Sequence, residues 1–206
     1  MLKIALTGNL GSGKSTVGTF LREAGFRVLD ADKIIRSFYQ ERGEVYQKVV
    51  QVFGGEVLDE EGNIDRKKLA RIVFEHQDKL KLLEEITHGA LYRRLAEEFA
   101  KDSESSVVVV EASLFIEKGT HRDYHATLLV YAPYELCRER ALASGYDPQD
   151  FERRWRRQMP PEEKLKHATF VVSNTDSVER LREKVRHLAR VLRNWVEFQN
   201  IAPRRS

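Results

Sequence analysis

Near the start of the chain, Gly8-Asn9-Leu10-Gly11-Ser12-Gly13-Lys14-Ser15 fits the pattern G-x-x-x-x-G-K-[ST]. It follows a short, nearly continuous apolar run, Leu2 to Thr7, and opens a segment of helical pattern, Lys14 to Ala24, closed by Gly25. Strand, glycine loop and helix in that order make a phosphate cradle. Glycines at 8, 11 and 13 let the backbone wrap a polyphosphate and take up positive φ where needed. Successive N–H groups of the loop, Asn9 and Ser12 among them, then face the anion, aided by the positive end of the helix dipole. Lys14 is placed to reach the β- and γ-oxygens, Ser15 to ligate Mg²⁺ and Thr16 to neighbour the α-phosphate. The pattern implies an ATP-type nucleotide used on a small molecule.

The rest of the chain continues the alternation. Phe26 to Leu29, Val107 to Val110, Ala126 to Tyr131 and Phe170 to Val172 read as further strands. Residues 33 to 101 are mostly helical in pattern, broken at Gly43, Gly54-Gly55 and Gly62. Val178, Leu181, Val185, Leu188, Leu192 and Trp195 recur at spacings of three and four, an amphipathic stripe that covers the sheet of its own domain. Phe26, Phe38, Phe53, Phe74 and Phe99 are read as core residues. The expected fold is α/β: a three-layer, mostly parallel, five-stranded sheet with functional loops at the carboxyl ends of the strands.

With 206 residues the chain accommodates one such domain with an insertion. The expected division is a core of residues 1–32, 102–137 and 167–206, a helical insertion at about 33–101 and a helical lid at about 138–166. No window approaches the ~18 consecutive apolar residues of a membrane span. The start lacks the h-region and cleavage site of a signal peptide. The single cysteine, Cys137, makes no internal disulfide and reads as packing in a reducing, cytoplasmic setting. A net charge of +3 suits a phosphate-rich ligand and gives little support for nucleic acid. The basic stretch Asp150 to Lys166 carries Arg153, Arg154, Arg156 and Arg157 around Trp155; a lid, a solvated helix face and a nucleic-acid patch are its readings, in that order. His121 and His125 have a helical metal-ligand spacing but no third ligand, and are read as surface histidines. A GTPase is excluded by the lack of any N-K-x-D.

The second strand ends in Asp30-Ala31-Asp32, with Arg36 one helical turn beyond. A carboxylate there is suited to accept a proton from a substrate hydroxyl or to support Mg²⁺, with helix capping as the alternative, and Arg36 to grip an anionic group of the acceptor.

Taken together, the motifs resemble the dephospho-CoA kinase family, related in fold to nucleoside monophosphate kinases. The likeness spans nearly the whole chain. It rests on the cradle, on Asp30-Ala31-Asp32 with Arg36, on Phe53-Gly54 and Gly62 to Arg66, and on Leu83-Glu84 with Ile86 and His88. Leu114-Phe115-Ile116-Glu117, Arg140, Arg154 with Gln158, and Asn174 extend it. The resemblance implies transfer of the γ-phosphoryl group of ATP, with Mg²⁺, to the ribose 3′-hydroxyl of dephospho-CoA. It makes Asp32 the general base, sets His88, Leu114, Phe115 and Glu117 on the acceptor side, and gives Arg140, Arg154 and Asn174 to the nucleotide. Gly89, Ser113, Cys137, Ser144 and Thr169 depart from the family pattern, away from the cradle, Asp32 and the lid arginines.

Overall fold

The computed structural model describes residues 1–74, 76–104 and 106–201. In chain order its elements are β1 (Leu2–Gly8), α1 (Lys14–Glu23), β2 (Arg27–Asp30), α2 (Ala31–Gln40), α3 (Glu44–Phe53), α4 (Arg66–Phe74) and α5 (Gln77–Phe99). There follow β3 (Val107–Glu111), β4 (Ala126–Tyr131), α6 (Tyr134–Ala143), α7 (Pro148–Trp155), α8 (Pro161–Lys164), β5 (Phe170–Ser173) and α9 (Val178–Ile201). Two compact units result: Met1–Asp30 with Asp102–Ser206, and Ala31–Lys101.

The first unit is built on one sheet of order β2-β3-β1-β4-β5, and every strand pairing in it is parallel. All five residues of β3 are buried, and so are six of the seven in β1. Burial on both faces explains why these strands read as unbroken apolar runs rather than alternating ones. On one face, α1 and α9 lay Val17, Leu21, Leu181, Val185, Leu188 and Leu192 against Ile4, Leu6, Val109 and Leu128. The stripe of α9 therefore covers its own sheet. Its two ends differ from the rest: Val178 is exposed, and Trp195 is only partly buried, edge-on to Phe170.

Register decides where function can sit. Leu6 and Asp30 both pair with Glu111, Gly8 pairs with Val130, and Tyr131 with Ser173. The carboxyl ends of all five strands thus lie along one edge. β1 stands between β3 and β4, where the chain's progress across the sheet reverses, and the loop that leaves β1 opens at that switch point.

A smaller core joins α6 and α7, with Ala132, Cys137, Ala141 and Phe151 buried in it. Asp147 caps α7, its carboxylate accepting the N–H groups of Gln149 and Asp150. Trp155 stacks on Phe151 at 5.5 Å and meets Tyr134 edge-on at 5.2 Å. The aromatic residue of the arginine-rich stretch is thus committed to packing, not displayed for a base to stack on.

The second unit has its own core, in which α2 to α5 and the intervening turn bury Phe38, Val45, Val49, Val57, Leu69 and Leu83. The glycine breaks fall where the sequence places them. Gly43 precedes α3, Gly54 ends it at φ 78°, and Gly62 turns at φ 79° beside the Asp59 carboxylate. Phe53 packs against this core, Phe99 is half-buried, and the side chain of Phe74 lies outside the described residues. α5 runs unbroken through Gly89, one of the positions that depart from the family pattern.

Leu192 has no exposed surface and sits in the middle of the α9 stripe. Truncating it to alanine is expected to cost about 2–5 kcal/mol, through lost transfer energy and the cavity left behind. Urea denaturation of Leu192→Ala checks this as a lower midpoint at unchanged slope.

Candidate active site

The loop after β1 folds as a cradle because its glycines take conformations that other residues resist. Gly11 and Gly13 have φ of 80° and 94°. A Cβ on Gly11 would lie 2.1 Å from the Cys137 carbonyl oxygen, and one on Gly13 would lie 2.3 Å from the Asn174 amide nitrogen. The Ser12 N–H closes a turn onto the Asn9 carbonyl at 3.0 Å, and α1 begins with Val17 N–H on the Gly13 carbonyl. Asn9 Oδ1 and Ser12 Oγ are buried without a hydrogen-bond partner. Buried polar atoms are rarely left so, and these two lie in the loop that the sequence assigns to phosphate.

At the mouth of the cradle, Lys14 and Ser15 converge on one atom. Lys14 Nζ is 2.9 Å and Ser15 Oγ 3.0 Å from Glu111 Oε1. Glu111 is the last residue of β3 and is only 3% exposed. The carboxylate reaches this place because Gly18 has no side chain: a Cβ there would stand 2.9 Å from Glu111 Oε2. Glycine within a helix costs about 1 kcal/mol relative to alanine, and the close approach of Glu111 accounts for its presence. Both residues were missed in the sequence. The available signal was a carboxylate directly after four buried β-branched residues, at the strand end beside a phosphate loop.

Other elements brace the loop from behind. The Asn174 amide donates to the Ser12 carbonyl at 2.9 Å, and Arg140 Nη2 donates to the Asn174 carbonyl at 2.8 Å. Arg140 Nη1 is buried without a partner. Gln158 Oε1 accepts the Leu10 N–H, and the Met159 carbonyl accepts from Asn9 Nδ2, each at 2.9 Å. Glu117 Oε1 accepts the Met159 N–H and pairs with the Lys164 ammonium, each at 2.8 Å. Lys164, within the basic stretch read first as a lid, is wholly buried. Burial pushes its pKa below the ordinary lysine value, with Glu117 opposing and Lys14 adding to the shift. Phe115 is buried edge-on to Tyr124, and Leu114 is half-buried beside it in the chain. Burial raises the Cys137 thiol to about 11, so it stays protonated at neutral pH.

The structure thus gathers Gly8 to Ser15, Glu111, Arg140 and Asn174 at one place, with Glu117 behind them. Thr16 is exposed in the first turn of α1. Arg154 is an exposed residue of α7, paired with Asp150 at 3.0 Å and lying over the Tyr146 ring. In the second unit, Asp32 and Arg36 are exposed on α2, Asp32 in its first turn, and His88 is half-buried on α5. His121 departs from the surface reading. It is 8% exposed, with Nδ1 at 3.3 Å from the Phe115 carbonyl, while His125 Nδ1 accepts the Lys3 N–H. Among the described residues no group of three or more His, Cys, Asp or Glu comes together to hold a metal ion.

Comparison with known proteins gives one answer at several levels. A sequence profile described as dephospho-CoA kinase matches residues 2–180. The dephospho-CoA kinase of Aquifex aeolicus is 53% identical over 186 residues, covering 90% of this chain and 95% of that protein. That of Carboxydothermus hydrogenoformans is 36% identical over 195 residues, covering 93% of each. Among solved structures, the dephospho-CoA kinase of Campylobacter jejuni superposes with a TM-score of 0.70 at 29% identity, covering 93% of this chain and 97% of that one. A shikimate kinase from Acinetobacter baumannii, at 17% identity and a TM-score of 0.51 over 93% of each chain, shares the fold. With a cradle, a strand-end carboxylate and these relatives in agreement, the chain belongs to the dephospho-CoA kinase family.

Proposed function

We propose that this chain catalyses its family's reaction, the last step of coenzyme A synthesis, moving the γ-phosphoryl group of ATP to the ribose 3′-hydroxyl of dephospho-CoA. The observation that carries the reading is the convergence of Lys14 and Ser15 on Glu111 at the mouth of the glycine cradle. ATP would lie with its phosphates along Gly8 to Thr16, its charge met by loop N–H groups, by Lys14 and by Arg140. The unpartnered Nη1 of Arg140 supports that role for it. Asn174 serves the nucleotide by holding Ser12, and Arg154 is assigned to close over the phosphates from the lid.

The oxygen donors at Ser15 and Glu111 fit Mg²⁺, which takes few protein ligands beside substrate phosphates. Bound there, Mg²⁺ would supply charge neutralisation at the β- and γ-oxygens. Asp32 acts as general base. As the 3′-oxygen bonds to the γ-phosphorus, its proton passes to the Asp32 carboxylate and the bond to the bridging oxygen of ADP breaks. Arg36, His88, Leu114 and Phe115 are assigned to the acceptor. Glu117 is assigned there as well, through the loop it anchors. Within the lid at about 138–166, the exposed arginines of α7 would close over the phosphates while Gln158 to Lys164 stay anchored, so that water is excluded and the acceptor receives the phosphoryl group. No helix among the described residues is long and apolar enough to cross a membrane. Dependence on ATP and a single cysteine that is free and buried both suit the cytoplasm.

The test is chromatographic. Purified protein with Mg-ATP and dephospho-CoA is expected to form CoA and ADP in equal amounts. Asp32→Asn is expected to lower kcat by about 10²–10⁴, the usual contribution of a general base, while ATP binding is retained. Absence of CoA while ATP still binds would leave the cradle standing and remove this acceptor. Wild-type turnover in Asp32→Asn would remove the base.

A further inference from the structure

Lys164 takes no part in the chemistry above, yet it is 0% exposed in a chain whose other lysines mostly face solvent. Its ammonium is held by Glu117 Oε1 at 2.8 Å and the Ser113 carbonyl at 3.3 Å. Burying an ion pair is costly, and apolar residues of similar volume often serve a core as well or better. What the pair touches is therefore informative.

The Glu117 oxygen that holds Lys164 also accepts the Met159 N–H. Met159 in turn receives the Asn9 amide on its carbonyl, and the preceding Gln158 receives the Leu10 N–H. Asn9 and Leu10 are the first residues of the cradle after Gly8. Between Met159 and Lys164 the chain runs Pro160-Pro161-Glu162-Glu163. Two prolines fix φ in succession and restrict the residue before them. The N–H groups of Glu163 and Lys164 both return to the Pro160 carbonyl, at 3.0 and 3.1 Å. The segment is too stiff to absorb a shift of its buried end, so such a shift reaches Asn9 and Leu10.

The geometry points to Lys164 as a positioning residue for nucleotide binding: its ion pair with Glu117 seats residues 158–161, which hold the Asn9 side chain and the Leu10 backbone N–H in the cradle. The inference rests on the cradle binding ATP and extends that reading to a side chain outside it.

The test titrates Mg-ATP by calorimetry with no acceptor present, so that any role of Glu117 toward dephospho-CoA is silent. Lys164→Met keeps the length and removes the charge. Lys164→Met with Glu117→Gln removes both charges, so that no unpaired ion stays buried. Lys164→Met is expected to melt lower and to bind ATP about tenfold or more weakly. The double variant is expected to recover melting temperature but not affinity. Recovery of both would make the pair a stabilising contact only and overturn the inference, as would wild-type affinity in a folded Lys164→Met. If Lys164→Met does not fold, the double variant decides alone; a double variant that also fails to fold marks the pair as structural and overturns the inference too. ATP binding by the wild type separates these outcomes from a failure of the cradle reading, in which no variant and no wild type would bind.

Discussion

The buried contact between Lys14 and Glu111 is the constraint around which the nucleotide end of the molecule is arranged. Glu111 is 3% exposed, and a carboxylate at that depth requires a cation or several donors. Removing one member of such a pair costs about 3–5 kcal/mol, because the other is left charged and unpaired. Lys14 supplies the countercharge and Ser15 a hydrogen bond. Each supporting feature serves that meeting. The parallel register sets Glu111 beside Leu6, near the carboxyl end of β1, Gly18 leaves room for the carboxylate, and Gly13 turns the chain so that α1 starts with Lys14. A polyphosphate entering the cradle would compete with Glu111 for the same ammonium, and a divalent cation would resolve the competition by giving both anions a partner.

Behind the cradle, the loop is held by hydrogen bonds as well as by the packing of Leu10 on the core of α6 and α7. Ser12 is fixed through Asn174 and Arg140, and Asn9 and Leu10 through Met159 and Gln158. A loop that presents N–H groups to a ligand needs its backbone preset, since ordering it on binding would cost affinity. The residues that do this come from parts of the chain more than 120 positions away, which sequence pattern does not connect.

Much of the fold was legible because periodicity and glycine chemistry carry it. The buried strands are unbroken apolar runs, the breaks at Gly43, Gly54 and Gly62 are turns, and the α9 stripe faces the sheet. The cradle was legible for the same reason, since positive φ at Gly11 and Gly13 demands that residue type. Glu111 was not, because the apolar run stops at Val110 and the next residue looks like the start of a loop. The burial of Lys164 and of His121, the latter read as a surface histidine, was not legible because composition reports on a stretch, not on one side chain that turns inward. Arg140 and Asn174 were flagged by resemblance as nucleotide contacts; the structure adds that Asn174 holds the loop itself and Arg140 holds Asn174.

On the proposed reading, Glu111 is the fixed carboxylate to which both Lys14 and a nucleotide-bound cation would answer. Calorimetric titration of ATP into wild type and Glu111→Gln, each with and without Mg²⁺, tests it most directly. Glu111→Gln is expected to bind metal-free ATP more tightly than wild type, because the competing anion is gone, and to gain little from added Mg²⁺. A variant with unchanged metal-free affinity and the full wild-type gain from Mg²⁺ would contradict it.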